Sequence, residues 1–133
     1  MPLPEAVLKG MAEFNRREFF EAHETLEDVW AEENGATRIF YQGLIQVAIG
    51  CCHVQRGNLD GALHLLGAGQ AKLQDFPSVH LGLDVAGFLA GAARTEEEAR
   101  RLGPHALDAF DPGRFPVLKA AGGGGPISSA PGP

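Results

Sequence analysis

The sequence predicts an all-α protein, a single-domain antiparallel bundle of about five helices followed by an irregular C-terminal segment. Three observations support this prediction. Apolar residues recur at the three- and four-residue spacing of one helix face, no stretch alternates apolar and polar residues over a useful strand length, and the connections between the helical stretches are short. A chain of 133 residues also has room for one hydrophobic core and little more.

The first three predicted helices cover residues 4–14, 17–33 and 37–56. Pro4 suits the first turn of a helix, because the missing N–H of proline has no partner there anyway. The Asn34-Gly35 pair is typical of a helix end, and Thr37 can cap the helix that follows. The third helix is apolar nearly all round, which indicates a central position in the bundle.

The last two predicted helices are separated from the third by another turn. The fourth begins at Leu59 after a capping Asn58 and ends near Pro77, since the residue before a proline disfavours helix. The fifth follows Asp84 and ends before Gly103.

The domain organisation follows from this pattern and from the composition of the C-terminal part. Residues 1–103 are predicted to form the helical bundle domain, and residues 104–118 to lie across it in extended form. Residues 119–133 are mostly Gly, Pro, Ala and Ser, a composition that cannot bury enough apolar surface to order itself. We therefore expect a flexible tail from residue 119.

Charge and hydropathy exclude several classes of function. The chain carries 11 Lys and Arg against 17 Asp and Glu, a net charge of -6, and lacks a basic run that could follow a phosphate backbone, so no nucleic-acid partner is expected. No apolar run approaches the roughly 18 residues of a membrane-spanning helix, and no secretory signal is visible.

The adjacent Cys51 and Cys52 suit a reducing cytoplasm as small buried side chains.

A polar pair on the second predicted helix falls on its apolar side. At about 100° per residue, His23 and Glu27 lie within the apolar arc. Four other polar residues fall together on the opposite, solvated side, namely Glu21, Thr25, Asp28 and Glu32. The sequence therefore predicts that His23 and Glu27 are at least partly buried.

The third predicted helix carries one polar stripe, made of Gln42, Gln46 and His53, with Arg38 and Arg56 beside it. Gly43 and Gly50 border this stripe, and their small size predicts that a backbone or a ligand comes close there. If the second and third helices form a hairpin about the Asn34-Gly35 turn, His23 and Glu27 face the stripe.

These residues also carry a family resemblance. FNRREFFEAHETLEDVW and FYQGLIQVAIGCCHVQRGNLDGALHLL, together residues 14–73, resemble the domain of unknown function 309 family. The features shared are F-F-E-A-H-E-x-L-E-x-x-W at residues 19–30, Q-G-L-I-Q at 42–46 and H-x-x-x-G-N at 53–58. The resemblance implies a compact helical fold and no particular activity, since the family has none assigned.

One hypothesis for the cluster is a divalent metal site. His23, Glu27 and His53 would supply an N/N/O ligand set with open positions. The string H-E-T-L-E differs from the zinc-protease motif H-E-x-x-H because Glu27 replaces the second histidine. The di-iron motif Glu-x-x-His is also absent, because Phe20 takes the place of the glutamate.

A second hypothesis is a metal-free enzyme, in which Glu27 is the general base for a small ligand. The ligand would be held by amides and an arginine, with Gln42, Gln46, Arg38 and Arg56 as candidates. The stripe contains no Ser, Cys or Thr nucleophile, so the sequence leaves open whether the protein is an enzyme.

Two further hypotheses need no ligand at this site. The carboxylate, two imidazoles and two amides could form a closed hydrogen-bond network that fixes the helical hairpin. The protein could also be a helical interaction module, because RGNLDGALHLLGAG resembles the second helix of a tetratricopeptide repeat. The apolar helices leave room for a homodimer or another protein partner as well.

Overall fold

The computed structural model describes residues 3–121. This part of the chain contains five α-helices, α1 (Glu5–Asn15), α2 (Phe19–Ala31), α3 (Gly35–Gln55), α4 (Leu59–Leu73) and α5 (Val85–Leu102). Each of the helices packs against the next one along the chain. Their apolar faces share one core, in which Phe14, Phe40, Leu44 and Phe88 are almost fully buried. The predicted all-α bundle is confirmed.

The turn between α1 and α2 shifts one predicted boundary. Arg17, predicted as the first residue of the second helix, has a φ of 71° and lies in the turn before α2. Its N–H donates to the carbonyl of Phe14, and the N–H of Glu18 donates to the carbonyl of Glu13. This pair of bonds is the Schellman motif that ends many helices, and it needs a left-handed residue at the position of Arg17.

The turn between α3 and α4 repeats this motif with glycine. Gly57 has a φ of 75° and donates to the carbonyl of Val54, while Asn58 donates to that of His53. The side chain of Asn58 then accepts from the N–H of Gly61 and caps α4 as predicted. Arginine thus occupies in the first turn the place that glycine takes in the second.

The start of α5 agrees with its prediction, whereas the start of α3 differs. Helix α5 begins directly after Asp84, as the sequence indicated, and the Asp84 side chain caps it by accepting from the N–H of Gly87. Helix α3 begins at Gly35, before Thr37, and its N-cap residue Asn34 makes no side-chain capping bond.

A short β-hairpin, which the sequence did not predict, joins α4 to α5. Strands β1 (Val79–His80) and β2 (Leu83–Asp84) pair antiparallel through a two-residue turn, in which Leu81 and Gly82 both have positive φ. Such two-residue strands are too short to leave an alternating pattern in the sequence. The N–H of Asp84 donates to the carbonyl of Lys119, and Ala120 forms a β-bridge with Leu83.

The C-terminal segment is less extended than predicted. It forms two 3₁₀ turns, at Leu107–Ala109 and Pro112–Arg114, before it crosses the bundle. It buries Phe110, Phe115 and Leu118 against the helices. Lys119 and Ala120, which bond to the β-hairpin, belong to the predicted tail. Residues 122–133 of that tail lie outside the described part of the chain.

The glycines of α3 fit against α4. A Cβ atom added at Gly43 would lie 2.8 Å from Leu73, and one added at Gly50 would lie 2.8 Å from Leu66. Gly69 of α4 is in turn so close that its Cβ would come within 2.8 Å of the carbonyl oxygen of Gly43. The close neighbour that the glycines predicted is therefore helix α4.

Cys51 and Cys52 are both buried, as predicted, and burial raises the pKa of the Cys51 thiol. Within residues 3–121, none of the helices is long and apolar enough to cross a membrane.

Candidate binding seam

Helices α2 and α3 meet along a line of polar side chains that we call the polar seam. It consists of His23 and Trp30 of α2 with Arg38, Gln42, Gln46 and His53 of α3. Its members come from the apolar arc of α2 and the polar stripe of α3, which the hairpin prediction placed face to face. All six are partly buried.

Two arginine–aromatic contacts join the helices at the two ends of the polar seam. The guanidinium carbon of Arg38 lies 4.0 Å from the centroid of the Trp30 ring, and that of Arg56 lies 5.4 Å from the centroid of Phe20. At 1.5 Å per residue, Arg38 and Arg56 are about 27 Å apart along α3. A single small ligand therefore cannot contact both arginines.

His23 is partly buried, as predicted, with 16% of its side chain exposed. Its Nδ1 lies 2.6 Å from the carbonyl oxygen of Phe20, and because a carbonyl only accepts, Nδ1 donates. Its Nε2 is 3.9 Å from a carboxylate oxygen of Glu27, too far for a hydrogen bond. His23 is thus oriented by its own helix.

The prediction that Glu27 is at least partly buried is wrong, because Glu27 is an exposed residue with 52% of its side chain accessible to solvent. Glu27 lies at the edge of the apolar arc, and its long side chain keeps the carboxylate in water, which avoids a large desolvation cost. It lines an open pocket of about 480 Å³ together with Glu24 and Asp28. The candidate general base therefore belongs to an acidic surface and lies outside the polar seam.

His53 serves the turn between α3 and α4. The Nδ2 of Asn58 donates to its Nδ1 at 3.2 Å, and Gly61 is close enough that an added Cβ would lie 3.0 Å from the ring. Nowhere in residues 3–121 do three His, Cys, Asp or Glu side chains form a group that could hold a metal ion. The predicted ligand set of His23, Glu27 and His53 is not brought together.

The predicted closed hydrogen-bond network is also wrong. His23 bonds to a backbone carbonyl and His53 to Asn58, so neither imidazole bonds to Glu27, Gln42 or Gln46. Both histidines are instead bonded to residues close to them in sequence, Phe20 and Asn58.

Two polar atoms of the polar seam are instead left without a partner. Trp30 Nε1, a donor, and Gln46 Oε1, an acceptor, are buried and make no hydrogen bond with any residue of the described chain. Each unpaired buried group costs about 1–3 kcal/mol. This donor and acceptor on facing helices are the feature of the seam that packing leaves unexplained.

The contact between Trp30 and Arg38 was not predicted from the sequence. A signal was available, because the two residues lie a few positions either side of the Asn34-Gly35 turn. An arginine at that distance across a helical hairpin can reach back to a tryptophan ring. The sequence gives no signal that Trp30 Nε1 lacks a partner among the described residues, because its hydrogen bonding depends on the rotamers of neighbouring side chains.

The fold and the site define a small antiparallel helical bundle with a polar seam between its second and third helices. Residues 7–65 match the sequence model of the family described as Domain of unknown function (DUF309). The resemblance inferred from the sequence is confirmed over this segment, which contains every residue of the polar seam.

The chain is also similar to the "Uncharacterized protein YpuF" of Bacillus subtilis (strain 168). The two are 37% identical over 65 residues, a region that covers 47% of this chain and 37% of that protein. The chain therefore matches little more than a third of the length of this relative.

Proposed function

We propose that this protein is a binding protein whose polar seam holds a guest molecule by hydrogen bonds to Trp30 and Gln46. The observation that carries the proposal is the unpaired donor and acceptor at Trp30 Nε1 and Gln46 Oε1. A guest that accepts from the indole N–H and donates to the amide oxygen would recover the cost of both.

The preferred guest is a polar molecule held along the half of the polar seam that runs from Trp30 and Arg38 to Gln46. Arg38, Gln42 and Gln46 lie on successive turns of α3 and span about 12 Å, so a guest that contacts both Trp30 and Gln46 extends along about two turns of the helix. Arg56, the fourth candidate from the sequence, lies about 27 Å away and has no part in this site. The absence of a metal-holding group in the described chain is the reason that the proposal includes no metal.

A segment of a protein partner is the second candidate guest. Phe20 and Ile39, which lie near the two ends of the polar seam, are 43% and 47% exposed. Large exposed apolar side chains often mark an interface. A segment lying along α2 and α3 would cover both residues and reach the same unpaired atoms.

The test uses Trp30 as a reporter, because it is the only tryptophan in the chain. Its indole N–H gives one cross-peak in a ¹H–¹⁵N spectrum, and we would titrate labelled protein with small carboxylates, phosphate esters and amides. We expect at least one compound to shift this cross-peak together with the side-chain amide of Gln46. Gln46→Leu should abolish the shift, whereas Gln74→Leu, at an exposed amide, should not.

A stability measurement tests the proposal without a known guest. Gln46→Leu removes an unpaired buried acceptor, so the variant should be at least as stable as the parent in urea unfolding. If it were less stable by more than about 1 kcal/mol, Gln46 would be hydrogen-bonded in the folded protein and the proposal would fail. If stability behaved as expected but no compound moved the indole cross-peak, the small-molecule guest would be excluded.

A further inference from the structure

A second cavity lies away from the polar seam, where the C-terminal segment crosses the turn between α1 and α2 and the end of α3. Its volume is about 270 Å³. We call it the Arg17 pocket, and its walls include Arg17, Val54, Leu107, Asp108, Phe110 and Phe115. None of these residues belongs to the polar seam, and four of the six carry apolar side chains.

Arg17 occupies a backbone position that favours glycine. Its φ of 71° matches that of Gly57, at 75°, in the equivalent turn between α3 and α4. Residues with a side chain are disfavoured in this left-handed region, and such strain concentrates at functional sites. A glycine would fit this backbone position with less strain, but it would lack the side-chain contacts that Arg17 makes.

The structure fixes the guanidinium of Arg17 at the pocket wall. Its Nε donates to the carbonyl of Pro112 at 3.1 Å, and its Nη1 donates to the carbonyl of Asn15 at 3.0 Å. The guanidinium carbon lies 5.8 Å from the centroid of the Phe115 ring. In the described chain no carboxylate pairs with Arg17, so the charge of its guanidinium is not neutralised by an ion pair.

The remaining walls supply the opposite charge and an apolar surface. The carboxylate of Asp108 lines the pocket and makes no ion pair or hydrogen bond with another residue of the described chain. Phe110 and Phe115 pack with their ring centroids 4.5 Å apart and form an aromatic wall. The pocket therefore offers a fixed cation, a carboxylate and apolar side chains within one small cavity.

We propose that the Arg17 pocket binds a free apolar α-amino acid. The carboxylate of the amino acid would pair with Arg17, its ammonium group with Asp108, and its side chain would pack against Phe110 and Phe115. The cavity is smaller than the pockets of about 300–1,000 Å³ that hold drug-sized ligands, which suits a molecule of this size.

The experiment is isothermal titration calorimetry with L-leucine and L-phenylalanine at neutral pH. Isovalerate, which lacks the amine, and isoamylamine, which lacks the carboxylate, are the comparison ligands. We expect an amino acid to bind at least tenfold more tightly than either analogue. If neither amino acid binds, or if isovalerate binds as tightly as leucine, the proposal is overturned.

Two variants test the roles of the charged residues. Arg17→Gly should keep the fold, which circular dichroism can check, because glycine suits this turn as Gly57 does. Arg17→Gly and Asp108→Asn should each weaken leucine binding at least tenfold, whereas the exposed controls Arg94→Gln and Asp75→Asn should leave it unchanged. Unaltered binding by folded Arg17→Gly would overturn the proposal.

Discussion

The guanidinium of Arg38 packs over the ring of Trp30 at 4.0 Å, across the turn that joins α2 to α3. This contact covers the face of the indole, while the indole nitrogen is buried and has no hydrogen-bond partner among residues 3–121. The guanidinium of Arg38 therefore covers the ring face of the only tryptophan in the sequence, while the N–H at the ring edge has no partner in the described chain. The first prediction tests the strength of this contact.

Arg38→Met should lower the free energy of unfolding by about 0.5–1 kcal/mol, the value of an exposed cation–π contact. Methionine keeps much of the apolar stem and removes the charge. Urea unfolding followed by Trp30 fluorescence measures the change. Arg94→Met, at an exposed arginine of α5, is the control, and an equal loss in both variants would contradict a specific Arg38–Trp30 contact.

Two glycines of α4 should respond in opposite directions to alanine. A Cβ at Gly69 would lie 2.6 Å from Val47, so Gly69→Ala should destabilise the protein by about 1–3 kcal/mol through overpacking. A Cβ at Gly67 would meet nothing within 4 Å, so Gly67→Ala should stabilise it by up to about 1 kcal/mol through helix propensity. Thermal and urea unfolding of both variants would measure this, and the same sign in both would refute the close packing of α3 and α4.

Asn15 holds the C-terminal segment on the bundle through a two-way hydrogen bond with Leu118. Its Nδ2 donates to the Leu118 carbonyl at 2.8 Å, and its Oδ1 accepts from the Leu118 N–H at 2.9 Å. Asn15→Ala leaves both backbone groups unpaired and should cost about 1–3 kcal/mol.

Hydrogen exchange at the Leu118 amide should accelerate in the same variant, because its acceptor is lost. Asn34→Ala is a matched control, since the Asn34 side chain caps no helix. Unchanged exchange at Leu118 would show that Asn15 does not hold the segment.

Glu98 should contribute to the acid limb of the stability profile. Hydrogen bonds from Arg101, at 2.6 and 2.9 Å, lower the pKa of Glu98 below the ordinary value of 4.5. A carboxylate with a lowered folded-state pKa stabilises the fold above pH 4.5, and this stability is lost as the pH falls through the lower value. Glu98→Gln should therefore flatten the fall in Tm between about pH 5 and pH 3.

Thermal melts across this pH range provide the measurement. Glu97→Gln, at the exposed neighbouring position, should keep the slope of the parent. A parent-like slope in Glu98→Gln would mean that the Arg101 pair does not couple folding to pH.

The helices were predictable from the sequence because their signals are local. Apolar spacing, together with the cap at Asn58, placed the starts of α4 and α5 correctly. The start of α2 was missed because the left-handed residue there is Arg17, and an arginine carries no signal for this backbone conformation. The β-hairpin was missed for a related reason, since Leu81 also adopts a positive φ.

The candidate site was only partly predictable. Helical geometry fixes where a Cβ points, and this placed His23 and Gln46 in the polar seam. Helical geometry does not fix the path of a long side chain, and the carboxylate of Glu27 extends into solvent. Hydrogen-bond partners depend on rotamers on several helices, so the unpaired atoms of Trp30 and Gln46 could be found only from the folded structure.

The packing of each helix on its neighbour in sequence has a consequence for folding kinetics. Contacts between sequence neighbours give a low contact order, and chains with low contact order fold quickly. The bonds between Asn15 and Leu118 instead close a loop of 103 residues. We therefore expect the helical hairpins to assemble first and the docking of the C-terminal segment to complete the Arg17 pocket last.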